Sequence, residues 1–346
     1  MTDLKNFKFF QIGLGSMGKR RIRNLLHHGI KAKQIVGFDT NPERIKEAVK
    51  LHDITPVKGF TEGVKSFHPD VFIISTPPNT HWKYFLPAAK AKKHFFAEHP
   101  TTDQGYAELK KLMDGTFVGA PSCTLRFNSA IKEIEKQIEK ETIGSVLSFQ
   151  YHLGQYLPDW HPWEDFRQVY FSKKTTGACR EMFAFELLWL THALNLPEIK
   201  QIQGVTKKLS DLEMTADDFY SYIAQFKNGV MGTVVIDLLS RAPFRTLRVI
   251  GMKGVLDWEW QKYEIRILKP NTKTELIYLT KGRQEKNYVA TEDMYEEEIG
   301  AFLTAIQGKR RYPFTFEENQ KHLKAMLALE KSSKAGKVVD VASSDA

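Results

Sequence analysis

The chain has 346 residues, and at about 150 residues per domain this length predicts two domains. An AVILMFWYC content of 42% supplies full cores and excludes a disulfide-stapled miniprotein. The 50 Lys plus Arg against 41 Asp plus Glu leave a formal charge of +9, a mild excess without the basic run of a nucleic-acid arm, so solubility and an anionic ligand are expected and nucleic acid is not.

In chain order, the first 120 residues alternate apolar runs with amphipathic segments, the rhythm of parallel strands joined by crossover helices. The strands are FKFFQIGL from Phe7, QIVGFD from Gln34, VFIISTP from Val71, HFFAEHP from His94 and FVGAPSC from Phe117. Between them SMGKRRIRNLLHHG, NPERIKEAVKLHD, THWKYFLPAAKAKK and TDQGYAELKKLMDG have helix length. Past Thr124 the pattern changes. A helix in SAIKEIEKQIEKETIG precedes the strand SVLSFQYHL, and GQYLPDWHPWEDFRQVYF then follows neither period. A helix over about Arg180–Leu194 leads into the strand-like runs IQGVTKKLS, DDFYSYIAQFKN, GVMGTVVIDLLS, RTLRVIGMK, GVLDWEW and YEIRILKP, with turns at Asn228-Gly229 and Lys253-Gly254 that predict antiparallel hairpins. Helices near Met294–Gln307 and Glu317–Lys334 close the chain. The expected fold is α/β: a Rossmann domain over 1–123, then an α+β domain over 124–346 with a large open, mainly antiparallel sheet, whose last helices have the option of packing back on the first domain.

Cys123 and Cys179 form no disulfide framework, and MTDLKNFKFF lacks the apolar core of a signal peptide, so a cytoplasmic location is expected. The run from Phe183 to Leu190 is interrupted by Glu186 and falls short of the roughly 18 apolar residues of a membrane span.

Gly13-Leu14-Gly15-Ser16-Met17-Gly18 fits G-x-G-x-x-G between a strand and a helix. Gly13 permits the tight turn, Gly15 admits a pyrophosphate close to the backbone, and Gly18 allows close helix packing. Asp39 ends the next strand about 20 residues on, where a carboxylate holds ribose hydroxyls, which favours NAD. Thr40 and Arg44 offer contacts for a 2′-phosphate, so NADP is the alternative. Ser75, Thr76, Pro77, Asn79 and His81 follow the third strand at its carboxyl end, the cofactor side of an open sheet, and Asn79 or Thr80 also reads as a helix cap.

GLGSMGKRRIRNL, VFIISTPPNTHW and FFAEHP, in this order, resemble the N-terminal signatures of the glucose–fructose oxidoreductase, inositol dehydrogenase and MocA family. The resemblance runs along almost the whole chain and implies a Rossmann domain followed by a sheet domain whose solvent face forms homodimer or homotetramer contacts. SFQYHLGQYLPDWHPWEDFR resembles a subgroup tied to sugar or nucleotide-sugar oxidation and surface-glycan synthesis.

The family's strand-end motif is Glu-Lys-Pro, and this chain reads Glu98-His99-Pro100. The resemblance places position 99 beside the nicotinamide, where an imidazole with an ordinary pKa near 6.5 would act as a general base. The family's second signature sets an acid and a histidine one turn apart, but TTGACREMFAFELLWLTHAL offers Glu181 or Met182 at the acid and Phe185 at the histidine. Glu186, among aromatic and aliphatic neighbours, is a further candidate whose burial would raise its pKa, or else a solvent-facing or Arg180-paired glutamate. In the aromatic segment Trp160 and Trp163 present faces for a sugar ring, while His161, Asp165 and Arg167 offer polar contacts; Arg126 is a further substrate candidate. The expected catalytic set is therefore His99, Glu186 and His161, with Glu98 and His99 also at the cofactor and Arg126, Trp160, His161, Trp163, Arg167 and Glu181 at the substrate. No histidine or cysteine spacing asks for a metal. The expected activity is NAD(P)-dependent hydride transfer at a hydroxyl or ketone of a sugar, nucleotide-sugar or cyclitol. The alternatives are a redox-neutral epimerase, eliminase or glycosidase, or a non-catalytic NAD(P)-binding protein.

Overall fold

The computed structural model describes residues 4–160, 164–284 and 291–343. In chain order the elements are β1 (Phe9–Ile12), α1 (Ser16–His27), β2 (Ile35–Phe38), α2 (Pro42–His52), β3 (Thr55–Pro56), α3 (Phe60–Phe67), β4 (Val71–Ile74), α4 (Trp82–Lys90), β5 (His94–Ala97), α5 (Tyr106–Leu112) and β6 (Gly119–Pro121). They continue with α6 (Ser129–Glu139), β7 (Val146–Tyr156), α7 (Cys179–Ala193), β8 (Ile199–Lys207), β9 (Phe219–Phe226), β10 (Met231–Asp237), β11 (Leu239–Gly251), β12 (Val255–Glu259), β13 (Glu264–Leu268) and β14 (Glu275–Tyr278). The chain closes with α8 (Asp293–Ile306), α9 (Phe316–Ala335) and β15 (Val339–Asp340). Contacts divide it into one unit of Met1–Thr124 with Arg283–Asn319 and a second of Leu125–Gly282 with Gln320–Ala346.

In the first unit a six-stranded sheet runs β3-β2-β1-β4-β5-β6, every pair parallel. The order reverses between β1 and β4, and the crevice beyond the carboxyl ends of those strands is where such sheets bind ligands. FFQI and VFII are buried along their whole length, as strands covered on both faces require. Gln11 is the polar exception. Phe9, Ile35, Ile73 and Phe96 share a core with Leu25 of α1 and with Ile299, Phe302 and Leu303 of α8. Residues 283–319, which the sequence leaves a choice of homes, thus complete the nucleotide-type unit. Pro42 opens α2 behind Asn41, whose side chain accepts the Glu43 amide.

The sequence reading passes over α3, which carries Gly63 at its centre. The structure supplies the reason for that residue: a Cβ on Gly63 would lie 2.6 Å from the Phe10 ring, so only glycine lets α3 sit against the sheet.

The second unit holds a nine-stranded sheet in the order β14-β13-β12-β11-β7-β10-β9-β8-β15. The Asn228-Gly229 turn joins β9 to β10, and the Lys253-Gly254 turn joins β11 to β12, each pair antiparallel. One pair, β7 with β10, is parallel. Phe149, Tyr151, Tyr222, Val234, Val249 and Trp258 are buried on one face, while Gln150, Ile223 and Thr233 stand exposed on the other. Strands β14 and β15 are short edge pieces that the apolar alternation does not reveal.

Candidate functional site

The glycine turn is built by close approaches. Gly13 has φ +84°, and a Cβ there would meet the Ser75 carbonyl oxygen at 2.3 Å. A Cβ on Gly18 would lie 1.9 Å from the Gly13 oxygen, so the fold itself demands both glycines. Gly15 differs: a Cβ there would meet nothing nearer than the Arg44 guanidinium, at 3.6 Å. The room above Gly15, the N-terminus of α1 and the adjoining Arg44 cation suit an anionic group. Ser16 and Met17, half-buried, form the first turn of α1.

Asp39, just past β2, accepts the Leu14 amide at 2.7 Å and the Asn41 amide at 2.8 Å. Its carboxylate is thereby fixed beside the turn, with acceptor capacity left for hydroxyls. Thr40 is exposed next to it. These residues fit a dinucleotide on observations independent of the motif.

Past β4, the Thr80 hydroxyl bonds the Thr76 hydroxyl and the Pro77 carbonyl. Asn79 is exposed, and α4 begins behind His81 with no side-chain cap, which corrects the reading of Asn79 or Thr80 as its cap. His81 is buried with its Nε2 2.7 Å from the Thr76 carbonyl, which fixes the proton on Nε2. Ser75 donates to Glu98 at 3.2 Å.

Glu98, past the end of β5, receives both arms of Arg21: Nε at 2.7 Å on one oxygen and Nη2 at 2.9 Å on the other. Arg21 is fully buried, stacks 4.6 Å from the Phe96 centroid, and carries a second counter-charge in Glu298 at 2.8 Å. Glu298 in turn accepts the hydroxyls of Ser122, Thr124 and Tyr312. The neighbouring carboxylates hold the Arg21 guanidinium charged against the burial that opposes it.

His99 lies inside this frame, buried, with Nδ1 3.3 Å from the Ser122 carbonyl. A carbonyl only accepts, so Nδ1 carries the proton of the neutral ring and Nε2 the lone pair. Burial pushes the His99 imidazole down to about 4, with His81 adding to the effect and the Ser122 bond and Glu98 opposing it. This corrects the expectation of a base with an ordinary pKa. Burial holds His81 down to about 4 as well.

The second unit carries a different set. Glu181, in the first turn of α7, accepts the Tyr170 hydroxyl at 2.8 Å on Oε1, while its buried Oε2 has no hydrogen-bond partner among the described residues. Burial pushes the Glu181 carboxyl up to about 7 against the opposing Tyr170 bond. Trp160 packs edge-on against Phe171 at 5.6 Å, and its buried Nε1 is also without a partner among the described residues. Phe171 touches Tyr170 in turn, at 5.7 Å. An unsatisfied indole donor and an unsatisfied carboxyl oxygen therefore flank one aromatic pair.

The expectation for Glu186 is corrected. Glu186 is fully buried, but Tyr151 and Trp189 donate to one oxygen, both at 2.6 Å, and Arg245 holds the other at 3.0 Å. It is a locked ion pair and not an available proton relay, while Arg180, its sequence-level alternative partner, pairs with Glu330 at 2.9 Å. Arg167 is half exposed and committed to Asp165 and Glu213, at 2.8 and 2.9 Å. Arg126 is buried, and its charge acts on Glu135 and His192, which bond each other at 3.1 Å. His161 and Trp163 lie outside the described residues.

Sequence reasoning missed Gln11, Arg21 and Glu298. Arg21 stands inside a quoted motif without being singled out, and Glu298 has no local signal because Ser122, Cys123 and Thr124, three of its partners, lie some 175 residues earlier. Among the described residues no group of His, Cys, Asp or Glu is arranged for a metal, and no helix is long and apolar enough to cross a membrane.

A doubly wound parallel sheet with a glycine turn facing a pinned acid defines a dinucleotide-binding protein. Residues 7–115 match the model of the Gfo/Idh/MocA oxidoreductase family with an NAD-binding Rossmann fold, and residues 131–257 match that family's C-terminal domain. The chain belongs to this family of oxidoreductases, and its cofactor is NAD(P). It is 24% identical over 341 residues to a myo-inositol 2-dehydrogenase of Thermotoga maritima, covering 93% of this chain and 94% of the relative. The fold is shared with levoglucosan dehydrogenase in complex with NADH, at a TM-score of 0.82, 18% identity and coverage of 97% and 99%. It is shared also with the WlbA dehydrogenase of Bordetella pertussis in complex with NADH and UDP-GlcNAcA, at a TM-score of 0.79, 16% identity and coverage of 96% and 98%.

Proposed function

We propose that the chain oxidises a hydroxyl, or reduces the matching ketone, of a sugar, nucleotide-sugar or cyclitol, with NAD(H) preferred over NADP(H). The observation that carries this reading is the glycine turn whose Leu14 amide is held by Asp39. When bound, the nicotinamide supplies the hydride acceptor or donor. Gly13, Leu14, Gly15 and the start of α1 would hold the diphosphate, with Asp39 at the ribose and Arg44 adding positive charge. Ser75, Thr76, Pro77, Asn79 and His81 border the strand-end crevice.

His99 presents a neutral imidazole that accepts a hydrogen bond or proton through Nε2. Because its pKa is near 4, that form persists from about pH 5 upward, and His99 introduces no break in rate near 6.5. In the second unit, Glu181 and Trp160 supply an acceptor and a donor for hydroxyl groups, and the Trp160 face supplies apolar cover. The substrate names of the relatives and the family resemblance support a polyhydroxylated ring. Self-association through the open sheet face, where Val205, Ile223 and Met231 stand exposed, completes the proposal.

The test is a titration with both dinucleotides, a dehydrogenase screen over sugars, nucleotide-sugars and cyclitols, and sedimentation of the same preparation. Expected are NAD(H) affinity, accumulation of reduced nicotinamide with one substrate class, and a dimer or tetramer. His99→Ala should lower turnover by about 10²-fold or more while cofactor affinity stays within about twofold. Asp39→Ala should narrow the NAD to NADP ratio. Binding of neither dinucleotide sinks the reading, and a monomer sinks its last part.

A further inference from the structure

Gln11 is the polar residue in the otherwise apolar strand FFQI, and it is fully buried. Its Nε2 faces three oxygens: the Gly13 carbonyl at 3.0 Å, the Ser75 hydroxyl at 3.1 Å and the Ile12 carbonyl at 3.4 Å. Carbonyls only accept, which fixes the amide with its nitrogen toward the turn. Its Oε1 has no partner among the described residues. An amide buried with one end unsatisfied is a poor core filler, and an apolar side chain of that size would serve the packing better.

The Gly13 carbonyl and the Leu14 N–H belong to one planar peptide and point in opposite directions. Gln11 holds the carbonyl end, and Asp39 holds the N–H end at 2.7 Å. The Ser75 hydroxyl that Gln11 touches passes the contact on to Glu98, the neighbour of His99.

We infer that Gln11 is a positioning residue: it presets the Gly13–Leu14 peptide before any dinucleotide arrives and ties the turn to the strand end carrying His99. The inference rests on the dinucleotide reading for its consequence, though not for its geometry. Set in advance, the turn gives up less conformational freedom on binding, and affinity gains accordingly.

The experiment compares wild type with Gln11→Met, which matches the volume and lacks the donors. Amide exchange is followed by NMR in the absence of cofactor, and NAD(H) titrations follow. The expected result is exchange at Leu14 faster by about tenfold, with the amides of Phe72 and Ile73 unchanged, and NAD(H) affinity lower by about tenfold. A merely structural role would instead accelerate Leu14 only in step with Phe72 and Ile73, and that outcome, or unchanged Leu14 exchange, overturns the inference. Should Gln11→Met fail to fold, Gln11→Glu serves. Its protonated carboxyl still donates to Gly13, so Leu14 protection should be present in acid and lost once the carboxylate ionises beside the carbonyl; protection constant across that range overturns the inference. If wild type binds no dinucleotide, the proposed function fails, while the exchange comparison still decides the role of Gln11.

Discussion

The strand-end cluster around His99 and the helix-start cluster around Glu181 follow one plan with opposite sign. Each stands in a unit with a locked ion pair: Arg21 between Glu98 and Glu298 in the first, and Glu186 on Arg245 in the second. Each also has a buried titratable group at which burial outweighs what the neighbours offer its charged form. In the first unit these are the imidazoles of His81 and His99, driven down to about 4, and in the second it is the Glu181 carboxyl, driven up to about 7. Burial prevails at these three groups, whereas the Glu186 carboxylate is taken up by Arg245, Tyr151 and Trp189. Glu186 lies deeper than Glu181 and is the spent residue of the two.

Proton linkage gives the contrast a direction. Unfolding lets His81 and His99 take up protons between about pH 4 and 6.5, so their contribution to stability grows as pH rises through that window. Glu181 works the other way: folded protein holds its proton up to about 7 while the unfolded chain releases it near 4.5, so its contribution falls as pH rises between those values.

The largest effect expected is from Gly18→Ala. A Cβ 1.9 Å from the Gly13 oxygen has no room, the turn must move, and dinucleotide affinity should fall by at least about a hundredfold. Retained affinity in a titration would break the assignment of the turn. Next comes Arg21→Met, which strands Glu98 and Glu298 without their shared cation. A loss of about 3–5 kcal/mol is expected in denaturant unfolding, and a loss below about 1 kcal/mol would show that the buried pair is not the frame of this site. The smallest effect is that of Glu181→Gln: measured between pH 4.5 and 7, the variant should gain stability relative to wild type as pH rises, then run parallel to it. A flat difference would erase the contrast between the two clusters.

Much of this was legible in the chain. The runs at Phe7, Gln34, Val71 and His94 are strands because apolar residues fill positions buried on both sides, and the Asn228-Gly229 and Lys253-Gly254 turns mark hairpins through their local geometry. The spacing of Gly13, Gly15, Gly18 and Asp39 likewise encodes a local structure. What stayed hidden depends on distant partners. Glu298 meets Ser122, Cys123 and Thr124 only after the chain returns, and Arg245 claims Glu186 from 59 residues away. The lowered pKa of His99 is set by enclosure, which a one-dimensional pattern does not carry. Gln11 reads as a blemish in an apolar strand until the Gly13 carbonyl is seen against it.

The return of α8 also governs the order in which the molecule can be made. Arg21 leaves the ribosome some 275 residues before Glu298 does, and the seat for Ile299, Phe302 and Leu303 stays open in the meantime. The nucleotide half is therefore finished late in translation despite being started first. Excising it as a contiguous fragment ending at Thr124 would leave behind one wall of its core and one of the two anions that balance its deepest cation.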